Sequence, residues 1–232
     1  SVEIQLDNPK YTLVEEERIV TLLKGTNHID FSWAGTRIDK ESIQFMPLTM
    51  KDKVRVINVD YPPNENALIW EVWADEPGPC RVRISYLIAN LSRKFHYRAV
   101  VDADGKKLTL RKYIRIDNFC GEEYRGAGIF AGFGKYFRKK IGLNESKQML
   151  MHRFDNIPAE KVFIFDWYQC PPVPNEPESK YVRWYYSFKN DKKHGLGLFP
   201  LQKGKVRIFQ KDRRGGVAFI GEDWGKFTPV GD

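Results

Sequence analysis

The stretch Tyr181-Val182-Arg183-Trp184-Tyr185-Tyr186-Ser187-Phe188-Lys189-Asn190 decides the fold, taken together with the runs on its C-terminal side. Gly195-Leu196-Gly197, Pro200-Leu201 and Gly204-Lys205-Val206-Arg207-Ile208-Phe209 come next, then Phe219-Ile220-Gly221-Glu222-Asp223 and Thr228-Pro229. Apolar and polar side chains alternate within each run, which is the two-residue period of a half-buried strand. Glycines and prolines separate the runs and mark turns. The order of strand, turn and strand predicts an all-β chain. It reveals no reaction.

The same period recurs upstream. Val2–Leu6, Arg18–Leu23 and His28–Trp33 read as strands, with Gly25-Thr26-Asn27 as the turn between the last two. Ser42–Phe45, Val54–Asp60, Leu68–Ala74, Arg81–Ile88, Phe95–Val101, Leu108–Asn118 and Lys161–Tyr168 are further strands. Asp102-Ala103-Asp104-Gly105 is a hairpin turn of the Asp-Gly kind. Four prolines between Gln169 and Ser179 read as a loop. Gly126 to Asp155 admits a short helix capped by Asn144, or strands; strands are favoured. About thirteen strands at this spacing predict antiparallel, sandwich-like sheets.

With 42% hydrophobic residues in 232, the chain can bury a sizeable core. No apolar run is long enough for a membrane-spanning helix. No signal segment opens the chain, and a first residue of Ser1 fits a processed or a trimmed chain. Residues 1–78 carry 8 Lys and Arg against 14 Asp and Glu, a net of −6. Residues 79–232 carry 30 against 16, a net of +14. The sign changes at Glu76-Pro77-Gly78-Pro79, a rigid, turn-rich segment. The expectation is an acidic N-terminal β subdomain, 1–78, packed on a basic C-terminal β-sandwich subdomain, 79–232.

Cys80, Cys120 and Cys170 form no CxxC pair and read as buried apolar thiols, with one disulfide open as an alternative. His28, His96, His152 and His194 form no HxH or HxxxH pair, so no metal site is expected. The glycines at 126, 128, 132 and 134 lack the helix start and the Lys-Ser/Thr pair of a phosphate loop. Nothing in the sequence names a catalytic residue or a cofactor.

Several of these runs resemble one family. Gly195-Leu196-Gly197, Pro200-Leu201, Gly204-Lys205-Val206-Arg207, Phe219-Ile220-Gly221-Glu222-Asp223 and Thr228-Pro229 resemble the closing signature of the C-terminal domain of mucoidy-inhibitor-A-like bacterial proteins. Arg83-Ile84-Ser85-Tyr86-Leu87, Leu91-Ser92 and Tyr97 resemble its middle, as does Asn118-Phe119-Cys120-Gly121-Glu122-Glu123-Tyr124. Gly25-Thr26-Asn27-His28-Ile29, Ile38-Asp39 and Ser42-Ile43 resemble its early stretch. The chain departs from the family's pattern at Arg93, where a Trp is usual, and at Gln202, where a Pro is usual. The resemblance implies an all-β fold and an exported, cell-envelope setting. It implies no catalysis.

The candidate sites are faces of strands. Arg111, Tyr113 and Arg115 lie opposite Leu108, Leu110, Ile114 and Ile116. Tyr181, Arg183 and Tyr185 lie opposite Val182, Trp184, Tyr186 and Phe188. Lys135, Arg138, Lys139 and Lys140 form the densest basic cluster. Arg and Tyr dominate docking hot spots, so the leading expectation is a non-enzymatic binding or assembly module for a protein partner or for copies of itself. An anionic-surface binder and a cryptic hydrolase of envelope polymers are the alternatives. Nucleic acid ranks below both, since no oligonucleotide-binding motif occurs.

Overall fold

A computed structural model describes residues 1–6, 8, 11–132 and 136–232. Its strands, in chain order, are β1 (Val2–Gln5), β2 (Thr12–Leu22), β3 (Gly25–Ser32), β4 (Gln44–Pro47), β5 (Val54–Asp60), β6 (Ala67–Ala74) and β7 (Gly78–Ile88). Next are β8 (Leu91–Val101), β9 (Lys107–Asn118), β10 (Tyr124–Phe130), β11 (Tyr136–Ile141) and β12 (Glu145–Pro158). The last six are β13 (Glu160–Ile164), β14 (Pro172–Val173), β15 (Glu176–Lys180), β16 (Arg183–Ser187), β17 (Gly204–Lys211) and β18 (Val217–Gly225). Among the described residues the only helical pieces are single 3₁₀ turns at Lys40–Ser42 and Lys192–His194. The chain is all-β, as its alternation predicts.

It divides into two compact units, but not at residue 78. Unit 1 comprises residues 1–93 and 116–147, and unit 2 comprises residues 94–115 and 148–232. β7 explains the difference. It pairs with β2 along its whole length, from Thr12 opposite Ile88 to Leu22 opposite Gly78, and with β4 on its other edge. Residues 79–88 are therefore bonded to the N-terminal strands. Counted by unit, the charge separates differently too. Unit 1 holds 17 Lys and Arg against 18 Asp and Glu, a net of −1, while unit 2 holds 21 against 12, a net of +9. The expected opposition of an acidic and a basic half gives way to one nearly neutral unit and one basic unit.

Unit 1 is a sandwich of a six-stranded sheet, ordered β11-β10-β1-β2-β7-β4, and a three-stranded sheet, ordered β3-β6-β5. Its pairings are antiparallel except between β1 and β10. β6 alternates strictly, burying Leu68, Trp70, Val72 and Ala74. Aromatic rings join the two sheets: Phe31 lies 5.8 Å from both Trp70 and Tyr86, and Phe45 lies 5.1 Å from Trp70. Such pairs add about 1 kcal/mol beyond the area they bury. The turn expected at Gly25-Thr26-Asn27 sits two residues earlier. Asn27 already lies in β3, where its side-chain amide accepts from the Leu23 N–H and donates to the Leu23 carbonyl, both at 2.8 Å. Ser42 ends a 3₁₀ turn, and the strand expected there starts at Gln44.

The motif Asn118 to Tyr124 is structural in this unit. The buried Asn118 amide donates to the carbonyls of Glu122 and Gly142, each at 2.8 Å. Gly121 has φ +95°, and a Cβ there would overlap the Gly35 carbonyl oxygen, so only glycine fits. Tyr86 donates to Glu16 Oε1 at 2.7 Å, and burial holds its phenol protonated far above the ordinary range. Burial also pushes the Glu122 carboxyl upward, and the Glu16 carboxylate adds to the rise against a smaller opposing effect of Arg18.

A raised carboxyl stabilises the fold fully below its unfolded value, and that contribution is lost as pH climbs through the folded value. Glu122→Gln keeps the shape and removes the charge. Its thermal midpoint is expected to exceed the parent's at about pH 7.5 and to match it at about pH 4. Paired melting curves at the two pH values check this; an equal gain at both would remove ionisation as the cause.

Unit 2 is built on a five-stranded sheet ordered β12-β9-β8-β17-β18. β8 and β9 are joined at Asp102–Gly105, where the Gly105 N–H donates to the Asp102 carbonyl at 3.0 Å, as the Asp-Gly signal predicts. β8 and β17 run parallel, as β1 and β10 do. One sheet face buries Phe95, Tyr97, Ala99, Leu108, Leu110 and Ile114. Segments on either side of β17 cover that face, and Asn190 ties them together. The favoured strand reading of residues 126–155 is what their described residues adopt, as β10, β11 and β12. The proline-rich stretch 169–179, read as a loop, contains the short pair β14–β15. The strand expected through Tyr168 stops at Ile164, because Asp166 starts a turn: its side chain accepts from the Tyr168 N–H at 3.0 Å.

Candidate functional site

β13 and β16 form a two-stranded ribbon, separate from the five-stranded sheet. They pair from Glu160 opposite Ser187 to Ile164 opposite Arg183. Alternation places Lys161, Phe163, Trp184 and Tyr186 on one side and Val162, Ile164, Arg183 and Tyr185 on the other. In an ordinary sandwich one of these sides would be buried. Here both lie largely open: Phe163 is 62% exposed, Phe165 61% and Tyr168 96%, and Trp167, Tyr181, Val182, Trp184 and Tyr185 are exposed as well. So many contiguous exposed rings are unusual on a free soluble surface, and patches of this kind mark sites of association.

The ribbon is ordered by its own contacts. Lys161 Nζ lies 4.2 Å from the Trp184 ring centre and 5.1 Å from that of Phe163. Trp184 meets Tyr186 edge-on at 5.7 Å, and Lys180 Nζ lies 5.3 Å from the Trp167 ring. Arg183 donates to the Gln169 carbonyl at 3.0 Å, tying the strand to the turn. Buried Cys170 lies at that turn, and all three cysteines are buried and unlinked.

At its base the ribbon borders an apolar pocket of about 230 Å³. Tyr97, Leu110, Ile208 and Trp224 line it from the sheet, and Tyr185 and Phe188 from the segment opposite. Tyr97 donates to the Gln202 carbonyl at 2.8 Å, and burial raises its phenol so that it stays protonated. Gln202 Nε2 is buried without a hydrogen-bond partner. The pocket and the exposed Tyr185 and Trp224 together offer a hollow for an apolar group rimmed by rings.

The sequence-derived site residues therefore do not form one site. Arg183 and Tyr185 share one side of the ribbon, with Tyr181 just outside β16. Arg111, Tyr113 and Arg115 lie in β9, on the face of the five-stranded sheet away from the apolar one. Arg138, Lys139 and Lys140 lie in unit 1, in β11, the edge of the six-stranded sheet. Arg138 is 4.0 Å from Glu3 and Lys140 is 2.9 Å from Glu123, so this cluster is partly neutralised. Charge on an edge strand also blocks unwanted sheet pairing. Lys135 lies outside the described residues. Lys205 and Arg207 both pair with Glu222, at 2.7 and 3.1 Å, and these cations hold its carboxyl below the usual range.

One residue was legible and passed over. Lys112 has the same parity as Leu108, Leu110, Ile114 and Ile116, and it is only 3% exposed. Its ammonium lies 4.8 Å from the Phe95 ring and 4.7 Å from the Phe199 ring, and it donates to Gln202 Oε1. A lysine at an inward position of an alternating strand was the signal.

Among the described residues, no three His, Cys, Asp or Glu side chains converge in a way that would hold a metal ion. No helix there is long and apolar enough to cross a membrane. Fold and site together define an all-β protein whose second unit exposes an aromatic ribbon beside an apolar pocket. The chain matches no protein-family description, no curated protein and no solved structure.

Proposed function

We propose that this protein is a non-enzymatic binding and assembly module that docks a protein partner through the β13–β16 ribbon. The observation that carries the reading is the run of exposed rings along Phe163–Tyr168 and Tyr181–Tyr185. Trp, Tyr and Arg are the residue types that dominate interface energetics, and the ribbon supplies all three. The +9 charge of unit 2 favours a partner with an acidic surface, because charge steers the encounter while buried rings hold the complex. We place the protein in the cell envelope and among mucoidy-inhibitor-A-like proteins on the sequence resemblance alone.

The test is the native mass of the protein in its source cells and after purification. A stoichiometric complex lost on changing the ribbon supports docking, and a mass at a multiple of 27.1 kDa makes the partner a second copy. A 27.1 kDa monomer in both preparations overturns the reading.

A further inference from the structure

The five-stranded sheet of unit 2 carries a second concavity on its other face. It measures about 310 Å³ and is lined by His96, Arg98, Tyr113, Gln148, Arg207 and Phe209, with Tyr97 at its edge. That volume lies at the low end of pockets that hold small ligands. Its chemistry is one-sided. Guanidinium, imidazole, phenol and amide groups all offer donors, and no carboxylate among the described residues lines it.

Two arginines sit side by side there. β8 and β17 run parallel with Arg98 directly opposite Arg207. Like charges at directly paired positions of a sheet repel, so the pair costs stability unless something anionic offsets it. Glu222 offsets Arg207, at 3.1 Å, and is shared with Lys205. Arg98 has no carboxylate at ion-pair distance among the described residues. Its guanidinium carbon lies 4.4 Å from the Phe209 ring centre, a cation–π contact. Its Nε is buried and has no hydrogen-bond partner. A buried donor left unmet is costly, and such groups in folded proteins nearly always have an acceptor. An anion entering the concavity would meet the terminal N–H groups of the Arg98 fork with Arg207 beside it. Phosphate is such an anion, and arginine is the side chain best shaped to hold it.

We propose that this concavity binds a phosphate group, held by Arg98 with Tyr113 and Gln148 as further donors and Arg207 beside it. It goes beyond docking by the ribbon and uses other residues, so either can fail alone. The group is either free inorganic phosphate or a phosphate monoester on a sugar, and the pocket is roomy enough for some of the sugar.

Isothermal titration calorimetry of the full chain with inorganic phosphate and with glucose 6-phosphate tests this, at two sodium chloride concentrations. Saturable one-site binding that weakens as salt rises is expected. Arg98→Gln should weaken it at least about tenfold, and Tyr113→Phe, which removes one hydroxyl, about threefold. Arg125→Gln, an exposed arginine in unit 1, should change nothing. Tighter binding of the monoester assigns the group to a sugar, and equal binding assigns it to the free ion. Absence of saturable binding by either ligand overturns the proposal. So does binding that survives both Arg98→Gln and Tyr113→Phe, or that falls equally with Arg125→Gln.

Discussion

Asn190→Ala is expected to destabilise unit 2 by about 3 kcal/mol, the largest stability loss we anticipate from a single polar side chain in this protein. Asn190 is buried and uses its backbone and side chain to tie together separate pieces of chain. Its side-chain Nδ2 lies 3.2 Å from the Phe199 carbonyl, 3.3 Å from that of Thr228 and 3.0 Å from that of Pro229. Its Oδ1 accepts from the Gly197 N–H at 3.0 Å. Its backbone N–H donates to the Asp232 carbonyl at 2.5 Å, and its carbonyl accepts from the Gly231 N–H at 2.9 Å. Alanine keeps the two backbone bonds and removes the rest. The Phe199 and Pro229 carbonyls and the Gly197 N–H then lose this partner, while the Thr228 carbonyl keeps its bond from the Leu201 N–H, and each unmet buried group costs about 1–3 kcal/mol. Asn190→Asp separates the two halves of the effect, because it keeps the acceptor and loses the donors. Urea unfolding followed by tryptophan fluorescence measures both. A loss under about 1 kcal/mol for Asn190→Ala would mean that other groups or water hold these segments.

The same residue explains why the closing stretch of sequence was so legible as a fold and so silent as a function. Gly197 has φ +74°, and a Cβ there would overlap the backbone of Asp191 and Lys192. Gly204 is tight for another reason: a Cβ would overlap the Phe95 carbonyl across the β8–β17 pairing. Thr228 and Leu201 exchange backbone hydrogen bonds of 2.9 and 2.8 Å. The glycines, the Pro-Leu and the Thr-Pro of that stretch are there to let backbones approach and to end strands. Their spacing reads as architecture because architecture is what fixes them.

Alternation found most strands for a similar reason. A strand with one buried face writes its period into the sequence, as β6 and β9 do. The division into units was not written that way. It depends on β7 pairing with β2, and on β10 returning beside β1, contacts far apart in sequence. The charge step at residue 78 was real in the sequence, yet the later residues that fold into unit 1, 79–93 and 116–147, bring it 9 Lys and Arg against 4 Asp and Glu. The phosphate-sized concavity was hidden likewise. Arg98 and Arg207 are 109 positions apart and become neighbours only through a parallel pairing that no local signal announces. The ribbon was half legible. Its rings were visible, but alternation set Val182 and Trp184 on the side away from the candidate residues Tyr181, Arg183 and Tyr185, and both sides are exposed.

Replacing Trp184 and Phe163 together by alanine is expected to weaken partner capture by at least about 100-fold while leaving the fold intact. The two residues are directly paired across the ribbon and share one side of it. Truncating a ring at the centre of an interface typically costs about 2 kcal/mol or more, and about 1.4 kcal/mol corresponds to tenfold in affinity. Two such rings give the expected factor even if their effects overlap. The stability cost should be small, because both rings are exposed in the free chain and truncating them opens no core cavity. Lys161 loses both of its ring contacts in this variant, so Lys161→Ala alone is a useful companion. It removes the cation and leaves the rings, and a cation over an exposed ring contributes about 0.5–1 kcal/mol. Its effect on capture should therefore be several-fold rather than a hundredfold. If the double variant unfolds, the rings are core and not contact. If it folds and captures its partner with unchanged affinity, the ribbon is not the docking surface, and the apolar pocket beside Tyr185 becomes the next place to change.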